Sequence, residues 1–296
     1  MLYHVQRGDS LSSIAKKFNT TSNTILQANV VCNPDFIFVG QPLIIPDPNT
    51  NLPKAGGLPY YILLPGDTLN CLSRQFNVSL QTLVAANQIH DTNLIYSGDE
   101  LLIVQDIADP EEFYQSWKRI GDINCDLITP LEEYGIFYLG SFQWQALGQK
   151  YVPYPIDLLS HPCETVRFYA AISLGRLAYG LRAKEELRYV ARNDPSSAVA
   201  EIAALALRRI NLVEVQGNRL HVMTNPNRLL TQPDLASPST TISQGIRIIV
   251  LRWNIPSPTS EEGPRGGIQI YDQVMVVNTG QVGFMPRLGF NEITFI

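Results

Sequence analysis

Gly8-Asp9-Ser10-Leu11 returns as Gly66-Asp67-Thr68-Leu69, and this echo organises the first third of a 296-residue chain. From Gly8 to Gly66 the offset is 58 residues, and the same step, without a gap, carries Tyr3 to Tyr61, Ile14 to Leu72, Phe18 to Phe76, Asn19 to Asn77, Asn29 to Asn87, Gly40 to Gly98 and Leu43 to Leu101. Self-similarity on this scale marks a duplicated structural unit. Each copy opens with a short strand-like stretch, Tyr3-His4-Val5 or Tyr61-Ile62-Leu63, followed by a Gly-Asp-Ser/Thr turn whose short polar side chains suit a helix N-cap. Leu11, Ile14, Ala15 and Phe18 then fall at helical spacing, and Asn19 and Asn77 suit a helix stop because Asn tolerates the left-handed backbone there. A second short helix and a closing strand at Leu43-Ile44-Ile45 or Leu101-Leu102-Ile103 complete the order strand, helix, helix, strand.

With these residues in register, the N-terminal third resembles two copies of the LysM carbohydrate-binding module. The first copy carries the resemblance on Tyr3, Val5, Gly8, Asp9, Ser10, Leu11, Ile14 and Ala15 and on the run from Asn33 to Pro46; the second carries it on Pro65 to Leu69 and on Asp91 to Ile103. The resemblance implies binding of N-acetylglucosamine-containing glycans, such as peptidoglycan or chitin, in a shallow groove between the turn after the first strand and the loop before the second. It assigns to that groove Gly8, Asp9, Ser10 and Leu11 facing Asn33, Pro34, Asp35, Phe36 and Ile37. In the second copy it assigns Gly66, Asp67, Thr68 and Leu69 facing Asp91, Thr92, Asn93, Leu94 and Ile95. An N-acetyl group asks for a donor and an acceptor for its amide and an apolar wall for its methyl, which these loops contain. The alternative is that the Gly-Asp-Ser/Thr-Leu run is helix-capping chemistry and that Leu11 and Ile37 face the core. The second copy departs from the first at Thr92, where the first has Pro34, and at Cys71, where the first has Ser13.

Residues 47–59 between the copies are rich in Pro and Gly and read as a linker, semi-rigid where the prolines sit. Two weak sites joined in this way gain avidity on one polymer. Lys+Arg 22 against Asp+Glu 27 leaves a net charge of −5, with no bulk positive field to attract nucleic acid. No run of about 18 apolar residues suggests a membrane span. Met1-Leu2-Tyr3-His4-Val5 lacks the basic start and apolar run of a signal peptide, so the expectation is cytoplasmic synthesis followed by association with cell wall or spore cortex. Cys32, Cys71, Cys125 and Cys163 form no CxxC pair and have no His at ligand spacing, which predicts neither a metal nor another cofactor. They read as small buried apolar residues in a reducing compartment, pairing into disulfides being the alternative.

After Asp109-Pro110 the pattern turns helical, with Phe113, Trp117 and Ile120 on one stripe. A second repeat, at an offset of 33, takes Pro162 to Pro195, Val166 to Val199, Ala170 to Ala203, Leu174 to Leu207 and Leu177 to Ile210. These segments resemble the second helices of HEAT-like repeats, with small residues permitting close approach and Pro presetting the first turn. From Val213 onward strand formers dominate, at Arg219–Met223, Ile246–Trp253, Ile268–Asn278, Gln281–Phe284 and Glu292–Ile296, with a tight turn at Asn278-Thr279-Gly280.

The predicted fold is therefore multidomain α+β: two βααβ modules (1–46 and 60–104), an all-α HEAT-like domain (108–212), and a small antiparallel β-barrel or sandwich (213–296) to which no family is assigned. Cys163 with His161 or His221 is the one Cys/His pair eligible as a nucleophilic site, and no HExxH or aspartate run of a glycosidase occurs. Glu132-Glu133, Glu185-Glu186 and Glu261-Glu262 read as solvated pairs pointing apart on helices. The reading is a non-enzymatic glycan-binding anchor that presents a protein-binding surface on its helical or β domain, without nucleic acid or membrane as partner. The alternatives are a wall hydrolase or amidase with its active site in the C-terminal domain, and a baseplate-like component of a phage tail or injection machine.

Overall fold

The computed structural model of the chain describes residues 1–46, 54–217, 219–264, 266–289 and 293–296. The first copy runs β1 (Leu2–His4), α1 (Leu11–Lys17), α2 (Ser22–Ala28) and β2 (Pro42–Ile44); the second runs β3 (Tyr60–Ile62), α3 (Leu69–Phe76), α4 (Leu80–Ala86) and β4 (Glu100–Leu102). Within each copy the two strands pair antiparallel, Tyr3 opposite Leu43 and Tyr61 opposite Leu101. Ser10 and Thr68 cap α1 and α3 by accepting from the backbone N–H of Ser13 and Cys71, contacts each worth about 1 kcal/mol. Asn19 and Asn77 take positive φ where their helices stop. Leu11, Ile14, Ile25 and Leu43 build one small core, and their 58-step equivalents Leu69, Leu72, Leu83 and Leu101 build the other. Asn29 donates to the carbonyls of Ile25 and Ile44 and accepts from the Ile44 N–H; Asn87 does the same with Leu83 and Leu102.

Residues 47–53 of the expected linker lie outside the described residues. The remainder is packed rather than loose: Ala55 is fully buried and bridges to Asn29, and the Gly56 N–H donates to the Asn254 carbonyl.

The helical region comprises α5 (Pro110–Asn124), α6 (Pro130–Glu132) running into a π-helical turn at Glu133–Tyr138, α7 (Gly140–Leu147), α8 (Pro153–Leu158), α9 (Glu164–Leu177), α10 (Leu181–Asn193) and α11 (Ser197–Gln216). Asp109 caps α5 through the N–H groups of Glu111 and Glu112. Trp117, Phe137 and Trp144 stack edge-on at the centre of this core. Small residues bring α9 and α11 together: a Cβ added at Gly175 on α9 would stand 3.0 Å from that of Ala206 on α11.

The C-terminal strands are β5 (Leu220–Val222), β6 (Asn227–Leu230), β7 (Ser239–Ile242), β8 (Arg247–Pro256), β9 (Ile270–Val276) and β10 (Val282–Pro286). They form one six-stranded antiparallel sheet in the order β5-β8-β9-β10-β6-β7. Glu292, in the last strand read from the sequence, lies outside the described residues, while Ile296 pairs with Val222 through reciprocal backbone bonds. Apolar side chains leave both sides of the pleat. Val250, Val274 and Met285 pack with Ala86 and Leu102 of the second copy and with Phe142 of α7, whereas Leu230, Tyr271 and Phe284 pack with Ala28 and Ile44 of the first copy. Ala28 and Ile44 are the 58-step equivalents of Ala86 and Leu102, so the same surface of each copy docks on this sheet.

All four cysteines are paired, Cys32 with Cys71 and Cys125 with Cys163. The reading of the four as unpaired buried thiols is thereby overturned. Partners 39 and 38 residues apart leave no local signature, but the fold brings their Cα atoms to 5.7 and 5.5 Å. The first bond ties the loop after α2 to the first turn of α3, and the second ties the end of α5 to the start of α9. Among the described residues no helix is long and apolar enough to cross a membrane.

Candidate functional site

The turn and loop that define each proposed groove are built from the same hydrogen bonds. Oδ2 of Asp9 accepts from the Tyr3 hydroxyl at 2.6 Å and from the Gln6 N–H at 2.8 Å; Oδ2 of Asp67 accepts from the Tyr61 hydroxyl at 2.7 Å and from the Leu64 N–H at 2.8 Å. The carboxylate therefore fastens the turn to the first strand. Gly8 and Gly66 occupy φ near +88° and +87°, a backbone that Gly alone adopts without strain. The opposite loop begins with an Asx turn, Asn33 Oδ1 accepting from the Asp35 N–H and Asp91 Oδ1 from the Asn93 N–H.

This bonding sorts the candidate residues. Leu11 and Leu69 are 5% and 2% exposed and belong to the module cores, so their side chains offer no wall to a ligand. The expectation that they face a sugar is corrected: each is the first residue of its helix, and helical periodicity with Ile14 or Leu72 turns it inward. Ile37 and Ile95 are half-buried against the same cores. Ser10 and Thr68 spend their side chains on caps, and Asp9 and Asp67 spend one oxygen each on the turn. Left outward are Gly8, Asn33, Pro34, Asp35 and Phe36 in the first copy and Gly66, Asp91, Thr92, Asn93 and Leu94 in the second. Phe36 and Leu94, equivalent at the 58 step, are 50% and 60% exposed, an apolar surface held out at the same place in both loops.

The two grooves differ electrostatically and sterically. Hydrogen bonds from the Tyr3 hydroxyl and the Gln6 backbone hold the Asp9 carboxyl below its ordinary pKa, while burial pushes that of Asp67 up. The Phe36 ring lies against Gly66, where a Cβ would meet it at 3.2 Å, and Asn33, Phe36, Gly66 and Asp67 surround one crevice between the copies. Residues assigned to separate grooves are thus neighbours, fixed there by the Cys32–Cys71 bond.

The LysM domain family model matches residues 3–46 and 61–104. The chain carries two LysM domains. Over 117 residues it is 36% identical to the secreted LysM effector ECP6 of Passalora fulva, an alignment covering 34% of this chain and 51% of that protein. Over 114 residues it is 32% identical to the N-acetylmuramoyl-L-alanine amidase sle1 of Staphylococcus aureus, covering 34% of this chain and 33% of the amidase. The chain thus spans about half the length of the first of these relatives and about a third of the second, and each alignment is about as long as the LysM pair. Among solved structures, the spore cortex-lytic enzyme SleL of Bacillus megaterium aligns over 96% of this chain and 88% of its own at 14% identity, with a TM-score of 0.17, too low to carry the fold across.

Beyond the LysM domains, the one Cys/His pair eligible for catalysis is removed, because the Cys163 sulfur is bonded to Cys125. Two of the glutamates read as solvated are engaged instead. Glu261 sits in a loop, not on a helix, and accepts from the Leu235 N–H and from the hydroxyls of Ser257 and Tyr271; burial raises the Glu133 pKa. No group of His, Cys, Asp and Glu among the described residues is arranged to hold a metal ion. What the sequence reading missed is a cavity beside the second LysM domain that draws Arg176, Arg209 and Arg219 together from α9, α11 and the start of β5.

Proposed function

We propose that this protein is a non-catalytic anchor that binds N-acetylglucosamine-containing glycan, peptidoglycan foremost, through two LysM domains held at a fixed spacing on its C-terminal sheet. The observation that carries the reading is the orientation of the pair: both domains dock by Ala28/Ile44 and the equivalent Ala86/Leu102, which leaves both candidate loops, with Phe36 and Leu94, outward. Backbone groups of the turn at Gly8 or Gly66 and of the Asx-turn loop would serve the acetamido N–H and C=O, and Phe36 or Leu94 its methyl. Two disulfides favour a working place outside the reducing cytosol, at a cell wall or spore cortex.

Within this reading the helical domain is HEAT-like, which the 33-step repeat and the Gly175–Ala206 approach support. The C-terminal strands are read as a small barrel or sandwich, for which the register shifts in β8 between Val250 and Ile255 supply bending points. A protein partner is assigned to the surface of the helical or the β domain.

The test is sedimentation with insoluble peptidoglycan and with chitin, comparing the wild type with a Phe36→Ser/Leu94→Ser double variant and examining the supernatant for released fragments. Co-sedimentation that the double variant loses, with nothing released, supports the anchor. Release of muropeptides establishes the hydrolase reading instead, and absence of binding to either polymer overturns the glycan reading.

A further inference from the structure

Beside the second LysM domain lies a cavity of about 550 Å³ whose walls come from that domain, from α7 and α9, and from the start of the C-terminal sheet. Its volume is that of a small-molecule site. Arg176 and Arg209 are 5% and 3% exposed, and Arg219 is half-buried. The described hydrogen bonds of Arg176 use Nη1 alone, toward the Tyr138 carbonyl and the Ser141 hydroxyl, while its guanidinium lies 3.6 Å from the centre of the Phe142 ring. Arg219 donates through Nη2 to the Val250 carbonyl at 2.7 Å, and its buried Nε has no partner among the described residues. Neither Arg176 nor Arg219 forms an ion pair with a carboxylate among the described residues. Arg209 is held by the carbonyls of Leu220, Gly175 and Arg176.

The carboxylates of the wall pair with neither Arg176 nor Arg219. Glu100 accepts from the Trp253 indole at 2.8 Å through one oxygen and lies 3.3 Å from the His221 Nε2 through the other, and Asp99 stands on the exposed rim. Guanidinium groups withdrawn from water without a counter-charge are costly, and a planar carboxylate is a ligand whose geometry matches them. Leu94 and Ile95, from the proposed sugar loop of the second LysM domain, line the same cavity, as do Ile89 and Leu177. An occupant with carboxylates and small apolar groups, attached to a sugar bound at that loop, would match this lining.

We propose that this cavity binds the carboxylate-bearing peptide stem of peptidoglycan whose glycan lies on the second LysM domain, making the protein selective for stem-bearing wall over chitin. The inference rests on the glycan reading above and adds the part of the polymer that decides the choice.

The experiment measures binding of the full chain to four probes by calorimetry: a chitin oligomer, a peptidoglycan fragment with its stems, the same fragment stripped of stems, and the free stem peptide. The stem-bearing fragment is expected to bind about tenfold tighter than the stripped one, and the free peptide only weakly. Arg219→Gln should abolish that preference and leave the chitin oligomer's affinity unchanged; Arg219→Lys should retain part of it. Far-ultraviolet circular dichroism of each variant confirms an intact fold. Equal affinity for stem-bearing and stripped fragments, a preference that survives Arg219→Gln, or free peptide binding as tightly as the stem-bearing fragment each overturns the inference while leaving the glycan reading standing. Failure of both the stripped fragment and the chitin oligomer to bind overturns the two together.

Discussion

Arg252 and Trp253, consecutive on β8, each grip a different LysM domain at the same place. Nη1 of Arg252 donates to the Pro42 carbonyl at 2.5 Å, and Nε1 of Trp253 donates to Oε1 of Glu100 at 2.8 Å. Pro42 and Glu100 are equivalent under the 58-residue step. Successive residues of a strand point to opposite faces, so one dipeptide holds the closing strands of both domains.

Removing these contacts should loosen one domain at a time. Arg252 is half-buried with its Nε shut off from solvent, and desolvation brings its pKa down to about 10, so it sits in a place where a lost partner is felt. Arg252→Met is expected to cost about 1.5–3 kcal/mol, the range for a hydrogen bond to a charged group. Urea unfolding measures the loss, and amide exchange should localise it to β1 and β2. Trp253→Phe should instead speed exchange in β3 and β4, because Glu100 loses its indole donor.

The Cys32–Cys71 bond predicts a second coupling. Replacing both cysteines with serine removes a cross-link whose partners lie 39 residues apart and should lower stability by about 2–4 kcal/mol in denaturant titration. Binding to polymeric glycan should fall more than binding to a short oligomer, because the two loops would no longer be held as a pair. Equal losses for both ligands would assign the bond to folding alone.

Close helix packing at Gly175 makes a third test. A Cβ there would meet Ala206 Cβ and Ile296 Cδ1 at 3.0 Å and the Ala206 Cα at 3.1 Å, so even Ala must push backbone apart. Gly175→Val is expected to destabilise by about 1–3 kcal/mol through overpacking, read as a lower thermal midpoint, with Gly175→Ala showing a smaller drop.

His221 gives the pH dependence a direction. Burial lowers its pKa, the Glu100 carboxylate opposes the shift, and Arg209 and Arg176 reinforce it. The unfolded chain, with an ordinary histidine pKa of about 6.5, therefore binds more protons than the folded one in mild acid. This contribution to stability is intact above that value and is lost as pH falls through it. The urea midpoint of the wild type should decline from about pH 7 to pH 5, and His221→Gln should show a shallower decline.

The LysM pair was legible because a gapless repeat makes every position testify twice: the strand pairing, the caps at Ser10 and Thr68 and the stops at Asn19 and Asn77 all follow from it. The proposed loops were legible as segments, but the division of labour inside them was not. Nothing local tells that Asp9 fastens Tyr3 or that Leu11 turns inward, although the co-repetition of Tyr3 with Asp9 was a usable signal. β6 and β7 escaped notice because they are short, flanked by Pro226, Pro233 and Pro238, and in β7 largely polar and exposed. The disulfides and the arginine cavity join residues far apart in sequence, and only the docking of domains creates them.

Because Ala28/Ile44 and Ala86/Leu102 are seated on one sheet, the two candidate loops cannot swivel independently to follow a bending strand. Under the proposed anchor function, such a molecule samples a polymer as a calliper does. It dwells where the material presents acceptor sugars at the separation and angle set by the sheet, and slips from chains that are too slack or too crowded. Its distribution in a wall would then report local glycan order as much as glycan amount.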